Sequence, residues 1–282
     1  MPIYEETYRG WEGRLAERPK SWWVIAKAGI RLLWKRGMML IILLSAIPFV
    51  VRAVQIYLLT RFGDNTQVLE AIRGFQVNPA FFMSFLQGQH FFLILVMIIA
   101  GAGLIAGDRR LNALPLYFSK PVGFGDYLGG KFLVLFFYGG LVTLVPGLAL
   151  FILRLLLSRD GTFFAENYWV IFSITGFVIL KLTVMGALVL ALSSLTRNTR
   201  LAAIAFFLVL TFPEMLRRIL PKVTSVALLS LNADMTQVGA AVFGENVPYA
   251  FPAWQAALLL VISLGVYAVV LRVKVRPTEV IQ

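Results

Sequence analysis

The feature that most constrains this chain is a series of long apolar runs without charged residues. The clearest run lies between Lys131 and Arg154 and contains no charged side chain. A helix of a soluble protein needs only one apolar stripe, whereas a helix that crosses the hydrocarbon core of a bilayer needs about 20 predominantly apolar residues. The runs therefore predict an all-α, polytopic membrane protein.

The composition supports this prediction and excludes several other classes of site. Of the 282 residues, 59% are hydrophobic and only 14% are charged, whereas a soluble domain has about 25% charged residues. The chain has no Cys, and His90 is its single His, so thiolate sites and multi-histidine metal sites within the chain are excluded. The net charge of +12 does not predict nucleic-acid binding, because the basic residues form no polar domain of their own.

Six segments qualify, or nearly qualify, as membrane spans by length and hydropathy. They are residues 38–60, 88–107, 130–153, 168–195, 201–220 and 253–272. The fifth is the weakest, because Pro213 is expected to bend it and charged residues crowd its end. The predicted organisation is a cytoplasmic segment 1–37, a six-span domain 38–273 and a cytoplasmic tail 274–282.

The distribution of basic residues predicts the orientation of these spans. With six spans both termini lie on one side, and most Lys and Arg residues outside the spans fall on that side. The excess places both termini in the cytoplasm.

The segment before the first span, SWWVIAKAGIRLLWKR (21–36), has the pattern of an amphipathic interfacial helix. Its basic residues recur every fourth position, at Lys27, Arg31 and Lys35. Trp23 and Trp34 fall on another face, as in helices that lie in the membrane–water interface. Two interpretations stay open: an anchor beside the first span, or a helix that also contacts a cytoplasmic partner.

The stretch GFGDYLGGKFLV (123–134) has the G-x-x-x-x-G-K spacing of a phosphate-binding loop, at Gly125, Gly130 and Lys131. Such a loop needs a preceding strand and a Ser or Thr after the Lys to hold Mg²⁺. Here Phe132 follows the Lys, and a polar loop precedes the glycines. Nucleotide binding is therefore not predicted. The glycines are expected to form a turn where the chain enters the membrane, with Lys131 anchored at the head groups.

The cytoplasmic loop 107–131 carries exposed apolar residues. Leu111, Leu114 and Phe118 are spaced for one helical face, and Pro115 predicts a helix that is short or begins near that residue. Such a helix either meets a partner or packs against the bilayer surface or the chain's own spans.

Two basic residues fall inside predicted spans and away from their ends, where a charge costs about 2.5–3.5 kcal/mol. Arg52 is expected to extend its guanidinium to the outer head groups. For Lys181 two interpretations are equal: a hydrogen bond to backbone carbonyls, or contact with an anionic substrate or lipid. Both residues are substrate-contact candidates.

No acidic residue falls clearly in the middle of a predicted span. Ion-driven carriers usually need an intramembrane carboxylate, and membrane enzymes usually need paired acids or clustered His. A secondary carrier or channel, and a polytopic membrane enzyme, remain the alternatives to the interpretation given next.

The loop and its surroundings resemble the type-2 permease family of ATP-binding-cassette (ABC) transporters. The resemblance extends to six spans, internal termini, the amphipathic helix and the Ser193 and Ser194 pair that closes the fourth span. The chain departs from the family pattern at Asn112 and Ala113, where the family often has Gly-Thr. The matching loop residues are Asp108, Arg109, Arg110, Leu114, Leu116, Ser119, Pro121, Val122, Gly130 and Lys131.

The resemblance implies an exporter-type permease in a bacterial-type cytoplasmic (inner) membrane. A coupling helix in the loop would dock on a separate ATPase subunit, and two permeases, here a homodimer, would work with two ATPases. ATP and Mg²⁺ would bind the partner, and no cofactor is expected on this chain. Residues 221–252 would form an outer, re-entrant segment. The implied coupling surface is Asp108, Arg109, Arg110, Leu114, Leu116, Tyr117 and Ser119.

Overall fold

A computed structural model describes residues 21–62, 76–119, 122–158, 162–220 and 227–275. Within these ranges the secondary structure is helical, with turns between the helices and no strand. Residues 1–20 of the predicted cytoplasmic segment, 221–226 of the predicted outer segment and 276–282 of the predicted tail lie outside the described ranges. The all-α prediction is confirmed for the described part of the chain.

Among the described residues, six stretches of helix are long and apolar enough to cross a membrane, in agreement with the predicted number. They are Met39–Arg61, Pro79–Arg110, Phe124–Leu157, Trp169–Leu195, Thr199–Ile219 and Ala253–Lys274. The second and third begin well before the predicted residues 88 and 130. Ser84 and Gln87 dilute the apolar pattern of the second span, but helices tolerate such residues when neighbouring helices pack against them.

The second span is built from several consecutive helical pieces. Asn78 caps the first piece by accepting a hydrogen bond from the Phe81 amide (3.0 Å), and a proline follows the cap. A turn at Gln89 and a π-helical turn interrupt the α-helical pattern. The pieces are α3 (Pro79–Gly88), α4 (His90–Val96), the π turn Met97–Gly101 and α5 (Ala106–Arg110).

The amphipathic helix α1 (Ser21–Leu33) packs along the start of the third span. That span consists of α7 (Phe124–Val142) and α8 (Leu144–Leu157). The predicted basic residues Lys27 and Arg31 are exposed, whereas the opposite side of α1 contacts α7. The Tyr138 hydroxyl donates a hydrogen bond to the Ile30 carbonyl (2.7 Å). A π-helical turn, Trp34–Met38, then leads to the first span, α2 (Met39–Phe62).

Gly125 and Gly130 lie inside α7, so the expected turn at these glycines is wrong. The helix begins at Phe124 after Gly123, whose amide donates to the Asp126 carboxylate (3.3 Å). Gly130 is needed for a different reason. A Cβ at this position would lie 2.8 Å from the Trp22 carbonyl oxygen, so only glycine lets α1 approach this closely.

The fourth span, α10 (Trp169–Leu195), forms the centre of the bundle. In the most apolar 18-residue stretch of α10, 72% of the residues are buried. In the same stretch of α2, α11 (Thr199–Ile219) and α13 (Ala253–Lys274), only 17% of the residues are buried. The short helix α9 (Thr162–Asn167) precedes α10. The exposed apolar faces of the outer helices are suited to lipid.

The described part of the outer segment contains one helix, α12 (Leu231–Val242), of 12 residues. This length is too short to cross a bilayer. The Ser230 hydroxyl caps α12 by accepting from the Ala233 amide (3.2 Å), and α12 packs against α10, α11 and α13. Pro213 does not end α11, which continues to Ile219.

The role of Gly130 can be tested by a pair of alanine substitutions in one helix. We expect Gly130→Ala to destabilise the protein by about 1–3 kcal/mol, because the added methyl group forces α1 away from α7. Gly125→Ala is the matched control, since a Cβ there meets no atom within 4 Å, and should be neutral or stabilising by about 0.5–1 kcal/mol. Thermal unfolding in detergent distinguishes them. Equal shifts for the two variants would contradict the close-packing argument.

Candidate functional site

The loop between the second and third spans folds into a compact turn followed by a short helix. Asn112 adopts a left-handed conformation (φ 50°), which asparagine tolerates better than most residues. This lets the Ala113 amide donate to the Asp108 carbonyl (2.8 Å). The helix that follows, α6 (Leu114–Phe118), has Pro115 in its first turn. The predicted short helix near Pro115 is confirmed, and the departure from the family pattern at Asn112 provides the turn.

The apolar side chains of this loop divide between an exposed and a buried set. Leu111 and Leu116 are 71% and 69% exposed. Leu114, Tyr117 and Phe118 instead pack against the body of the protein. The prediction that Leu111, Leu114 and Phe118 share one face is therefore wrong, because the turn at residues 111–113 separates Leu111 from the helix.

Asp108 pairs with a lysine of the third span. Its carboxylate lies 2.7 Å from Lys131 Nζ and accepts a hydrogen bond from the Tyr127 hydroxyl (2.7 Å). Asp108 does not pair with the neighbouring Arg109 or Arg110, since adjacent residues of a helix do not face each other. The expectation that Lys131 anchors at the head groups is also wrong. Because α7 begins at Phe124, Lys131 lies about two turns into the helix, where it is buried.

An aromatic cluster surrounds this ion pair. The ring of Tyr127 is fully buried, and the rings of Tyr117 and Phe118 lie 5.3 and 6.0 Å from it. Lys131 Nζ lies 5.2 Å from the centre of the Tyr127 ring. Burial, and to a lesser extent Asp108, raises the pKa of Tyr117 above its ordinary value. Sequence reasoning missed Tyr127, which has no local signal of its own.

The end of the fourth span is bonded to the start of the same loop. The Ser193 hydroxyl donates to the Ala102 carbonyl (2.8 Å) and accepts from the Ala106 amide (2.9 Å). The Arg109 guanidinium donates to the Ser194 carbonyl. Arg109 is thus a structural link between α5 and α10, and the two serines noted in the sequence form a junction between spans.

The predicted coupling residues therefore fall into two groups. Those that fix the loop to the spans are Asp108, Arg109, Leu114 and Tyr117. Those exposed on its outer side are Arg110, Leu116 and Ser119. Pro121 of the loop motif lies outside the described residues. The arrangement suits the transfer of displacement, since short, partly buried contacts join this surface loop to three spans.

The two intramembrane basic residues contact the protein interior. Lys181 Nζ donates to the Leu86 carbonyl (3.0 Å), just before the interruption between α3 and α4. This is the backbone hydrogen bond of the first interpretation. The Arg52 guanidinium donates to Gln55 Oε1 (3.2 Å) and Ser84 Oγ (3.1 Å). Arg52 thus bonds to its own helix and to the second span, whereas the sequence predicted an extension of its guanidinium to the head groups.

Comparison with known proteins identifies one family. A family model described as "ABC-2 family transporter protein" matches residues 22–272. The match extends from the start of α1 almost to the end of α13, and so includes the loop and all six candidate spans. A comparison with curated proteins gives no match. Among the described residues, no group of three His, Asp or Glu side chains converges to hold a metal ion.

A double-mutant cycle tests the Asp108–Lys131 pair. Lys131→Met should destabilise the protein by about 3–5 kcal/mol, because it leaves a mostly buried carboxylate without its cation. Adding Asp108→Asn should restore part of this loss, since the neutral amide still accepts from Tyr127. Thermal unfolding in detergent measures each step, with the exposed Lys274→Met as control. Strictly additive effects would show that the two residues do not interact.

Proposed function

Because the chain belongs to the ABC-2 transporter family, as the permease component of an ABC transporter, we propose that it exports its cargo with energy from a separate ATPase subunit that docks on α6. The observation that carries this proposal is that the loop has an exposed apolar side and a side that is bonded to the spans. The exposed side chains of Leu111 and Leu116 form the first side, which we call the ridge, and the Asp108–Lys131 pair belongs to the second. An exposed apolar ridge on a polar surface is typical of a protein contact.

The surface beside the ridge favours docking at this place. An open groove of about 540 Å³ lies between the start of α1 and α6, and its lining includes Val24, Leu116 and Val122. Because the exposed Leu116 also lines this groove, an ATPase could cover the groove and Leu116 together. The amphipathic helix would then contact the partner as well, which is the second of the two interpretations of residues 21–36.

The contacts between the loop and the spans would transmit a displacement of α6 to the membrane helices. A push on α6 reaches α7 through Tyr117 and Phe118, which pack on Tyr127. It reaches the fourth span through Arg109 and Ser194. Because Tyr117 and Phe118 pack on the buried ring of Tyr127 and Arg109 bonds to the fourth span, α6 is expected to move together with the cytoplasmic ends of three spans.

The energy source belongs on the partner. Gly125, Gly130 and Lys131 lie in a helix, Gly130 is in contact with α1, and Lys131 is paired with Asp108. A phosphate-binding loop needs free backbone amides and a free lysine, and this stretch offers neither. ATP and Mg²⁺ would therefore bind the ATPase subunit.

The assembly and location follow from the same proposal. Two identical permeases would work with two ATPases in a bacterial-type inner membrane, with both termini in the cytoplasm. Supporting this orientation, the exposed Lys27 and Arg31 of α1 lie on the same side of the bundle as α6, where basic residues are expected. The apolar faces of α2, α11 and α13 offer contact surfaces for lipid and for the second copy.

Substitution of the ridge tests the coupling. We expect Leu116→Asp to reduce the affinity for the ATPase at least tenfold and to abolish transport, because docking would bury a charge, while membrane insertion is retained. Asn198→Asp is the matched control: it adds the same charge to a neighbouring loop, at a helix cap that aspartate also satisfies. Co-purification and transport-coupled ATP hydrolysis in proteoliposomes are the measurements. Normal coupling in Leu116→Asp would refute the docking role.

A further inference from the structure

A second candidate site lies at the other end of the bundle, between α11, α12 and α13. Here the described residues enclose an open cavity of about 660 Å³, within the range of about 300–1,000 Å³ that is usual for small-molecule sites. Its wall is mostly aliphatic and aromatic. Representative lining residues are Leu208, Phe212, Leu259, Tyr267 and Asp234.

Asp234 is the acidic group of this cavity. It lies in the first turn of α12 and is only 2% exposed. Its Oδ1 atom has no hydrogen-bond partner among the described residues. An unpaired buried carboxylate is costly, so such a group is retained where it serves a ligand or a switch more often than for stability. Burial raises the pKa of Asp234 to about 7.

The nearby basic residues of α11 are already paired. Arg217 bonds Glu214 at 2.6 Å, and Arg218 lies 3.3 Å from the same carboxylate oxygen. Glu214 also accepts from the Ser230 hydroxyl (3.0 Å). This network satisfies Glu214 and leaves Asp234, four residues beyond Ser230, without a cation from α11.

The opening of the cavity is apolar. Leu208 and Phe212 on α11 are 52% and 59% exposed, and Leu229 before α12 is 66% exposed. In a membrane protein such side chains face acyl chains, so a ligand would enter from the lipid phase and not from water. The ligand therefore needs an apolar body.

We propose that this cavity binds a lipophilic amine, whose ammonium group pairs with Asp234 and whose apolar body lies along α11 and α13. No basic residue is among the described lining residues, so a phosphate-bearing lipid would bring an anion beside Asp234, and no described side chain of the lining offers a cation to receive it. A simple amine satisfies the carboxylate without that conflict. The proposal goes beyond the coupling function, because binding requires neither the ATPase nor transport.

Binding of radiolabelled dodecylamine to the purified full-length chain in phosphatidylcholine nanodiscs tests the proposal, with empty nanodiscs as the blank. Wild type should show saturable binding. Asp234→Asn should weaken the affinity about tenfold or more, because it removes a charge-assisted hydrogen bond in an apolar site. Glu245→Gln, which removes an acidic charge from the same outer segment outside the cavity lining, should bind as wild type does.

A further variant and a competition measurement distinguish binding in this cavity from non-specific partition of the amine into the bilayer. Ser263→Phe keeps the carboxylate but fills the cavity, and it should also lose saturable binding. Dodecanol and dodecyl phosphate should compete poorly against dodecylamine on wild type. Equal affinity in wild type and Asp234→Asn, or competition by dodecyl phosphate as strong as by dodecylamine, would overturn the proposal. Such a result would leave the docking role of Leu116 untouched.

Discussion

The Asp108–Lys131 ion pair is the interaction on which the arrangement of the cytoplasmic end depends. It joins the end of the second span to the first turns of the third, where both side chains are mostly shielded from water and each charge needs a partner. Tyr127 supplies the remaining hydrogen bond and a platform for α6. With Asp108 fixed in this way, Arg109 reaches the end of α10. One pair thus orients a surface helix relative to three spans.

Much of the fold could be predicted from the sequence, and the errors have a common cause. Hydropathy identified six spans, and the periodicity of residues 21–36 identified α1, because both signals are local. The start of the third span was misplaced because Gly125 and Gly130 suggest a turn in isolation. Only the neighbouring α1 explains them, since the close approach of Trp22 requires a residue without a side chain. Lys131 was misassigned for the same reason.

The candidate sites show the same limit more sharply. Asp108 stood out in the sequence, but its partners Lys131 and Tyr127 are 23 and 19 positions away, beyond any helical periodicity. Asp234 gave no signal, since it falls outside every predicted span and has an ordinary sequence context. Its unusual position comes from the packing of α11, α12 and α13 around it. Chemistry that arises from tertiary packing cannot be read from local patterns.

One route by which the two ends of the bundle can influence each other is a change in the packing around α10. That helix contacts α7 on the coupling side and both α12 and α13 beside the cavity. Ligand binding and partner docking are coupled only to the extent that each favours one of two arrangements of the bundle. Gly239 of α12 lies against Phe177 of α10 so closely that a Cβ would approach the ring to 2.6 Å. A shift of α10 would therefore displace α12, and with it the carboxylate of Asp234.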